Sequence, residues 1–168
     1  DEVIKHFSPL FSDYYGEKMG IAIDGEKMGK LTMNLGLGKY ENSHYSFTIN
    51  IRYPIDTTGE EVLNILNFKV LDEGILVSDS KPLYLDPNSA FIQTLLKAYQ
   101  DISKDYDSKP MTIGGGTYAR NTINSVAFGM CFPHEEELAH QMNEVLSVES
   151  LEKGLAIYLK AIHMLGDL

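Results

Sequence analysis

Cysteine is almost absent from this chain of 168 residues, which contains one, Cys131. A single cysteine cannot form an internal disulfide, and its position within the apolar run at residues 126–132 indicates an inert buried thiol rather than a reactive one. Proteins without disulfides are typical of a reducing compartment, so we expect a cytoplasmic location.

Basic residues and long apolar runs are also scarce. The chain has 14 Lys and Arg against 24 Asp and Glu, a net charge of −10. Because nucleic acids and anionic lipids are bound through clustered Lys and Arg, this balance argues against both as partners. No apolar run approaches the roughly 18 residues that a membrane span needs. With 43% hydrophobic and 23% charged residues, the chain has the composition of a globular protein with one ordinary domain or two small ones.

The first residues suggest a chain taken from a longer protein. Residues 1–15 could close a helix that starts upstream, and the chain has neither an initiator methionine nor a signal peptide at its start. Apolar and polar side chains then alternate along residues 30–37 and 45–53, which predicts two strands. The intervening pair Asn42 and Ser43 is a turn signal.

A capping box follows these strands. Thr58 and Glu61, three residues apart, predict the start of a helix. Its predicted apolar face is Val62, Ile65, Leu66 and Val70. A further strand is expected at residues 75–77, after Gly74. The order strand, strand, helix, strand up to about Asp86 predicts an α+β unit, an antiparallel sheet with a helix on one face.

The second half has a different pattern. Asp86 as N-cap and Pro87 in the first turn predict a new helix, and residues 125–132 are expected to form a strand. A last helix is expected to start at Ser147. The face that it should bury is Leu151, Leu155, Tyr158, Leu159 and Ile162. This order is typical of a fragment of an α/β layer rather than of a self-sufficient fold.

Three consecutive glycines at residues 114–116 form the most informative motif. Without Cβ atoms, their backbone N–H groups could approach a ligand closely and point at an anion. A plain tight turn is the alternative interpretation. A phosphate-binding P-loop is excluded because no Gly-Lys-Ser/Thr follows.

Two further residues could carry chemistry. Arg52 ends the polar face of a predicted strand without an obvious carboxylate partner, so it could bind a carboxylate. The pattern alone favours the alternative, a solvated or distantly paired arginine. His140, predicted at the head of a helix, would share a face with Glu144. Zinc sites usually need three or four ligands, and no His-x-Asp or Cys-x-x-Cys pair is present. The chain's own residues therefore do not predict a complete metal site.

Taken together, these sequence motifs resemble those of one family. The chain resembles the C-terminal portion of a bacterial di-zinc dipeptidase, of the Xaa-His or carnosinase-like branch that belongs with aminoacylase, carboxypeptidase G and succinyl-diaminopimelate desuccinylase. The motifs that carry the resemblance are Gly-Lys-Leu-Thr-Met-Asn-Leu-Gly at 29–36, Ile-Arg-Tyr-Pro at 51–54, Gly-Gly-Gly-Thr-Tyr-Ala-Arg at 114–120, Val-Ala-Phe-Gly at 126–129, and Ala-His-Gln at 139–141 followed by Asn-Glu at 143–144.

The resemblance implies a fold and a pair of domains. In that family an α/β zinc domain is interrupted by a lid domain of ferredoxin-like topology. Residues 1–86 would be the later part of the lid, an antiparallel sheet with a helix. Residues 87–168 would be the C-terminal part of the α/β zinc-peptidase domain.

The resemblance also implies a site for a dipeptide substrate. His140 matches the family's last zinc ligand, and Arg52 matches the lid arginine that holds the substrate's C-terminal carboxylate. Gly114, Gly115, Gly116 and Thr117 match the loop that lines the pocket of that carboxylate. The implied cofactor is zinc, two ions per complete enzyme, with manganese possible. The implied reaction is attack of a zinc-bridged water on the peptide carbonyl, with a glutamate as general base.

This chain departs from the family pattern because nothing in it matches the other zinc ligands or the catalytic glutamate. We therefore expect the parent protein to be a zinc dipeptidase and the isolated chain to be inactive. One alternative is a deacylase or desuccinylase of the same family. Another is a non-catalytic fragment that self-associates into a homo-oligomer through exposed sheet edges or apolar faces.

Overall fold

The computed structural model describes residues 2–69, 74–129 and 131–166. The chain divides into two compact units, Asp1–Tyr84 and Leu85–Leu168. The mixed α+β class expected from the sequence is confirmed. The assignment of residues 1–86 to a lid and of residues 87–168 to a zinc domain stays a prediction.

The first unit contains two helices and two antiparallel strand pairs among its described residues. Its elements are α1 (Glu2–Phe11), β1 (Asp24–Gly25), β2 (Gly29–Lys30), β3 (Thr32–Glu41), β4 (His44–Arg52) and α2 (Gly59–Lys69). β1 pairs with β2, and β3 pairs with β4. The predicted turn at Asn42 and Ser43 joins β3 to β4, and both residues have positive φ, as tight hairpin turns require.

The β3–β4 hairpin contains a bulge that changes which side chains face the core. Leu35 lies opposite Ile49, but Leu37 lies opposite Thr48, so the register shifts around Gly36. Because directly paired residues share a face, Leu37 lies on the polar face of the hairpin and is 49% exposed. The strict alternation expected for residues 30–37 is therefore broken by one residue.

The capping box of α2 follows the sequence prediction, and two residues of its predicted apolar face lie in the core of the first unit. The Glu61 backbone N–H donates to Thr58 Oγ1 at 3.2 Å, and the Thr58 backbone N–H donates to Glu61 Oε2 at 2.9 Å. α2 buries Val62 and Leu66 in this core, while the predicted Val70 lies outside the described residues. The buried cluster is Met19, Ile21, Leu31, Met33, Val62 and Leu66.

The second unit contains two long helices among its described residues, α3 (Ala90–Ser103) and α4 (Val148–Gly166), and a short 3-10 helix at Tyr118–Asn121. α3 begins later than predicted. Its N-cap is Ser89, whose Oγ accepts from the Ile92 backbone N–H at 3.4 Å. Asp86 instead closes the preceding turn, where it accepts the Asn88 N–H through its carboxylate.

α4 starts directly after Ser147, as predicted, but it buries a different face. The buried residues are Ser150, Gly154, Ile157 and Ala161. The leucines expected inside are exposed, Leu155 by 60% and Leu159 by 72%. Small residues let helices approach closely, and Ala161 packs in one cluster with Leu95 and Ala98 of α3. The Lys160 ammonium pairs with the Asp101 carboxylate at 3.0 Å beside this contact.

Three local predictions are wrong. Residues 75–77 form no strand, and Ile75 and Val77 are 74% and 81% exposed. The described part of residues 125–132 forms no strand either. This segment is hydrogen-bonded to α4, because the Tyr158 hydroxyl donates to the Phe128 carbonyl. Cys131 is exposed rather than buried.

In the part of the chain that the structure describes, no helix is long and apolar enough to cross a membrane.

Candidate functional site

The glycine loop is an exposed segment between α3 and the 3-10 helix. Gly114, Gly115 and Gly116 are all solvent-exposed and lie outside regular helix and strand, while Thr117 is half-buried. Thr117 is the N-cap residue of the 3-10 helix, and its side chain makes no capping hydrogen bond. Its carbonyl accepts the Arg120 backbone N–H at 3.2 Å. The loop thus presents an accessible backbone that leads into a short hydrogen-bonded turn.

An arginine lies directly against this loop. A Cβ atom at Gly116 would lie 3.1 Å from Nη1 and 3.4 Å from Cζ of Arg120. Gly116 has no positive φ, so close approach, and not backbone conformation, is what a side chain at this position would disturb. The sequence motif includes Arg120 but does not indicate a role for it. The feature of the sequence that could have drawn attention to Arg120 is its position four residues after the last glycine of the loop.

His140 lies in a turn and not at the head of a helix. Its φ of 64° is left-handed, and Asn143 has φ 61°, so these two residues cannot continue an α-helix. The imidazole is solvent-exposed. The His140 backbone N–H donates to Glu144 Oε2 at 3.4 Å, which holds that carboxylate at the same turn. The turn therefore brings the Glu144 carboxylate to the backbone of His140, although helical spacing is not the reason.

The described residues do not fit a complete zinc site. Zinc in proteins usually has three or four protein ligands, and the His140 turn offers two at most. Across residues 2–69, 74–129 and 131–166, no group of three or more His, Cys, Asp or Glu side chains could hold a metal ion.

The acidic run before His140 has a structural role. Residues 135–137 are three consecutive glutamates, a composition typical of the first turn of a helix, but they lie outside any helix. The Glu135 carboxylate accepts the Ser150 hydroxyl and the Phe132 backbone N–H, the latter at 2.8 Å. The Ser150 hydrogen bond is the main reason that the pKa of Glu135 is lowered, and the Phe132 N–H lowers it further. Glu135 therefore ties the segment before His140 to the first turn of α4.

Arg52 lies at the end of β4, opposite Thr32 of β3. Its side chain belongs to the exposed face of the hairpin, because burial alternates along β4 and the core face is the other one. No carboxylate of the described residues lies within 4 Å of its guanidinium. The interpretation that Arg52 is paired with a distant acid finds no such partner in the described part of the chain.

The predicted site residues are distributed over both units. Arg52 belongs to the first unit, and the glycine loop and His140 belong to the second. Within the second unit, no described hydrogen bond or ion pair joins the glycine loop to His140. An open surface cavity of about 540 Å³ along α3 includes none of these residues. Its lining is Ala90, Gln93, Thr94, Leu96, Lys97, Gln100 and Asp101.

The fold and the exposed cationic and glycine-rich elements define this chain only as a mixed α+β protein. Comparison with known protein families assigns it to one family. Residues 17–164 match the model of peptidase family M20/M25/M40, which covers most of the chain. The chain belongs to this peptidase family.

Curated relatives agree with this membership. The chain is 39% identical over 160 residues to a protein of Staphylococcus aureus (strain USA300) named a putative dipeptidase. It is 38% identical over 160 residues to a protein of the same description from Staphylococcus saprophyticus. In both cases 93% of this chain aligns with 34% of the relative. The chain thus spans about a third of the length of these relatives.

Proposed function

We propose that this chain is part of a longer metal-dependent peptidase that hydrolyses dipeptides. The observation that carries the proposal is the family match over residues 17–164, and the relatives named as dipeptidases support the substrate class. In the proposal, Arg52 and the loop at 114–117 bind the substrate's C-terminal carboxylate. His140 supplies one zinc ligand, and the remaining ligands and the general base come from outside this chain.

An activity assay tests the proposal directly. The longer protein that contains this chain should hydrolyse dipeptides in the presence of Zn²⁺ or Mn²⁺, and the isolated 168-residue chain should not. The same assay with N-acetyl and N-succinyl amino acids tests the deacylase alternative. Faster turnover of those substrates than of dipeptides would indicate a deacylase instead of a dipeptidase. Activity of the isolated chain would refute the proposal that the other ligands and the general base lie outside this chain.

The role of His140 can be tested with a matched histidine. His140→Ala in the longer protein should lower kcat by at least 100-fold and reduce the bound zinc measured by elemental analysis, because a metal ligand is lost. His163→Ala is the control, since His163 is also exposed but lies near the end of α4. Equal zinc content in both variants would exclude His140 as a ligand.

The role of Arg52 calls for a second matched pair. Arg52→Gln in the longer protein should raise KM for dipeptides about 10- to 100-fold, because hydrogen bonds to charged groups contribute about 1.5–3 kcal/mol. Lys39→Gln is the control, since Lys39 lies opposite Ser46 in the same hairpin. A dipeptide amide, which lacks the carboxylate, should show no difference between wild type and Arg52→Gln. A KM increase of the same size for the amide would show that Arg52 does not read the carboxylate.

Self-association is a second candidate function for the chain on its own, and one observation favours it. The outer face of α4 carries exposed apolar side chains, which we name the α4 stripe: Leu151, Leu155, Leu159 and Ile162. Their spacing of four, four and three residues places them along one side of the helix. Glu149 lies in the first turn and His163 in the last, so an antiparallel second copy would bring acidic and basic ends together.

Light scattering coupled to gel filtration tests this candidate. We expect the isolated chain to form a dimer at micromolar concentration and Leu155→Glu with Leu159→Glu to restore a monomer. Glu152→Gln, which changes an exposed α4 residue outside the stripe, is the control. A monomeric wild-type chain would refute self-association without affecting the peptidase proposal.

A further inference from the structure

The loop at residues 135–147, which carries His140, is closed at its neck by a chain of hydrogen bonds. The Ser147 hydroxyl donates to Ser150 Oγ at 2.9 Å, and the Ser150 hydroxyl donates to the Glu135 carboxylate. The Ser150 backbone N–H donates back to Ser147 Oγ at 3.0 Å. The two ends of the loop are thereby joined through one residue of the first turn of α4. We name Glu135, Ser147 and Ser150 the neck clasp.

The segment before the loop is fixed on both long helices of the second unit. The buried Phe132 ring stacks on Tyr99 of α3 with ring centroids 6.2 Å apart, and the Lys153 ammonium of α4 lies 4.8 Å from its centroid. The Phe132 backbone N–H donates to the Glu135 carboxylate at 2.8 Å. Ser150 is buried as well, and a buried hydroxyl is costly unless its hydrogen bonds are made. Glu135 therefore joins a buried aromatic anchor to a buried hydroxyl.

The interior of the loop has no comparable attachment. Every described hydrogen bond of residues 136–146 lies within the loop, such as the one from the Gln141 backbone N–H to the Leu138 carbonyl at 3.0 Å. The apolar side chains of Met142 and Val145 are exposed and do not anchor it. Segments with few buried apolar contacts open locally at low free-energy cost. The neck clasp is consequently the contact on which the conformation of the loop depends.

We propose that Glu135 is a positioning residue whose carboxylate closes the neck clasp and thereby holds the loop at 135–147, and His140 with it, in one conformation. The inference rests on the proposed function for the role of His140. Hydrogen bonds to an ionised carboxylate are stronger than those between neutral groups. The Ser150 hydrogen bond first, and the Phe132 N–H second, lower the pKa of Glu135, so the carboxylate is ionised at neutral pH. Because the clasp closes the loop from both ends, its loss should release residues that it does not touch.

Amide hydrogen exchange, followed by NMR on the isotope-labelled 168-residue chain, tests the clasp. The reporter is the Gln141 backbone N–H, which is hydrogen-bonded inside the loop. Ser150→Ala and Glu135→Ala should each raise its exchange rate about tenfold, because each removes a hydrogen bond to a charged group. Glu135→Gln should raise it less, because the amide oxygen still accepts. The double alanine variant should exchange within about twofold of the faster single variant, since the two side chains form one contact.

Two matched controls separate the clasp from general effects of charge and stability. Glu136→Gln removes the same charge from the neighbouring, exposed residue, and Ser89→Ala removes the hydroxyl that caps α3. Both should leave the Gln141 exchange rate within about twofold of wild type. The amides of Ala98 in α3 and Ala161 in α4 should exchange at wild-type rates in the clasp variants, which would show that these variants fold and that the opening is local.

Kinetics of the longer protein separate positioning from substrate binding. Ser150→Ala and Glu135→Ala should lower kcat for dipeptides about 10-fold, the lower end of the range for residues that orient a functional side chain. KM should stay within about twofold of wild type, because the clasp acts on the placement of His140 and not on the residues proposed to bind the substrate carboxylate. Glu136→Gln should change neither constant.

Several outcomes would overturn the inference. These are an unchanged Gln141 exchange rate in both single alanine variants, additive effects in the double variant, an equal effect of Glu136→Gln, or a raised KM with unchanged kcat. Failure of the proposed function is distinguishable because the exchange experiment needs no activity. A longer protein that hydrolyses neither dipeptides nor N-acyl amino acids would reject that function, whereas hydrolysis together with unchanged Gln141 exchange would reject the neck clasp alone.

Discussion

The face that α4 buries leads to a sharp prediction about stability. Ile157 is 4% exposed and Leu159 is 72% exposed, although both are apolar and lie two residues apart on one helix. Ile157→Ala removes three buried carbons, a loss of about 2.4 kcal/mol at roughly 0.8 kcal/mol each. A residual cavity raises the total cost to about 2.5–4 kcal/mol. Leu159→Ala should cost under about 0.5 kcal/mol, because its side chain is mostly in water and alanine favours a helix slightly more than leucine.

Urea unfolding of the 168-residue chain, followed by circular dichroism at 222 nm, measures the difference. With a slope of about 1.5–2 kcal/mol per molar urea, Ile157→Ala should lower the midpoint by about 1.2–2.7 M and Leu159→Ala by less than about 0.3 M. The experiment is repeated over a tenfold range of protein concentration, because association through the α4 stripe would stabilise the wild type. Equal costs at every concentration would refute the assignment of the buried face.

Three other changes probe the rest of the fold. Thr58→Ala should cost about 1 kcal/mol by thermal unfolding, because it removes the hydroxyl that caps α2. Gly16→Ala should destabilise more than Gly29→Ala: both have φ near +75°, but a Cβ at Gly16 would lie 2.5 Å from Ile21 while Gly29 has open space. Asp105→Asn should flatten the fall of stability in acid measured by urea unfolding between pH 5 and 3. Hydroxyl hydrogen bonds, first from Ser108, hold the pKa of Asp105 well below its usual value, so the stability it adds is present at neutral pH and lost as pH falls.

Local sequence signals predicted local structure well where side chain and backbone interact directly. The Thr58 and Glu61 pair predicted the start of α2 because both of its hydrogen bonds form within four residues of chain. Alternation predicted β4 for the same reason, since the pleat itself sets which side chains share a face. The bulge at Gly36 was not predictable, because it depends on the register between two strands and not on β3 alone.

The second unit was less predictable because its contacts are non-local. Hydrophobicity favoured the leucines of α4 as the buried face, but the small residues Gly154 and Ala161 are buried instead. Ala161 packs in one cluster with Leu95 and Ala98 of α3. The run at 135–137 had the composition of a helical first turn. Its first carboxylate instead accepts hydrogen bonds from Phe132 and from Ser150, fifteen residues away. Such competition between a local helix and a distant partner leaves no signal in a short window.

The same non-local contact bears on how the His140 turn would serve a metal. Glu135 ties the segment to α4 at Ser150, and Glu144 accepts the backbone N–H of His140, so the turn is held at both ends by carboxylates. The left-handed φ of His140 places the residue in a turn and not in a helix, and its imidazole is exposed to solvent. One exposed ligand on a restrained turn loses less conformational entropy on binding than one on a free loop. In the proposed function, His140 is one zinc ligand, and the other ligands belong to the rest of a longer protein.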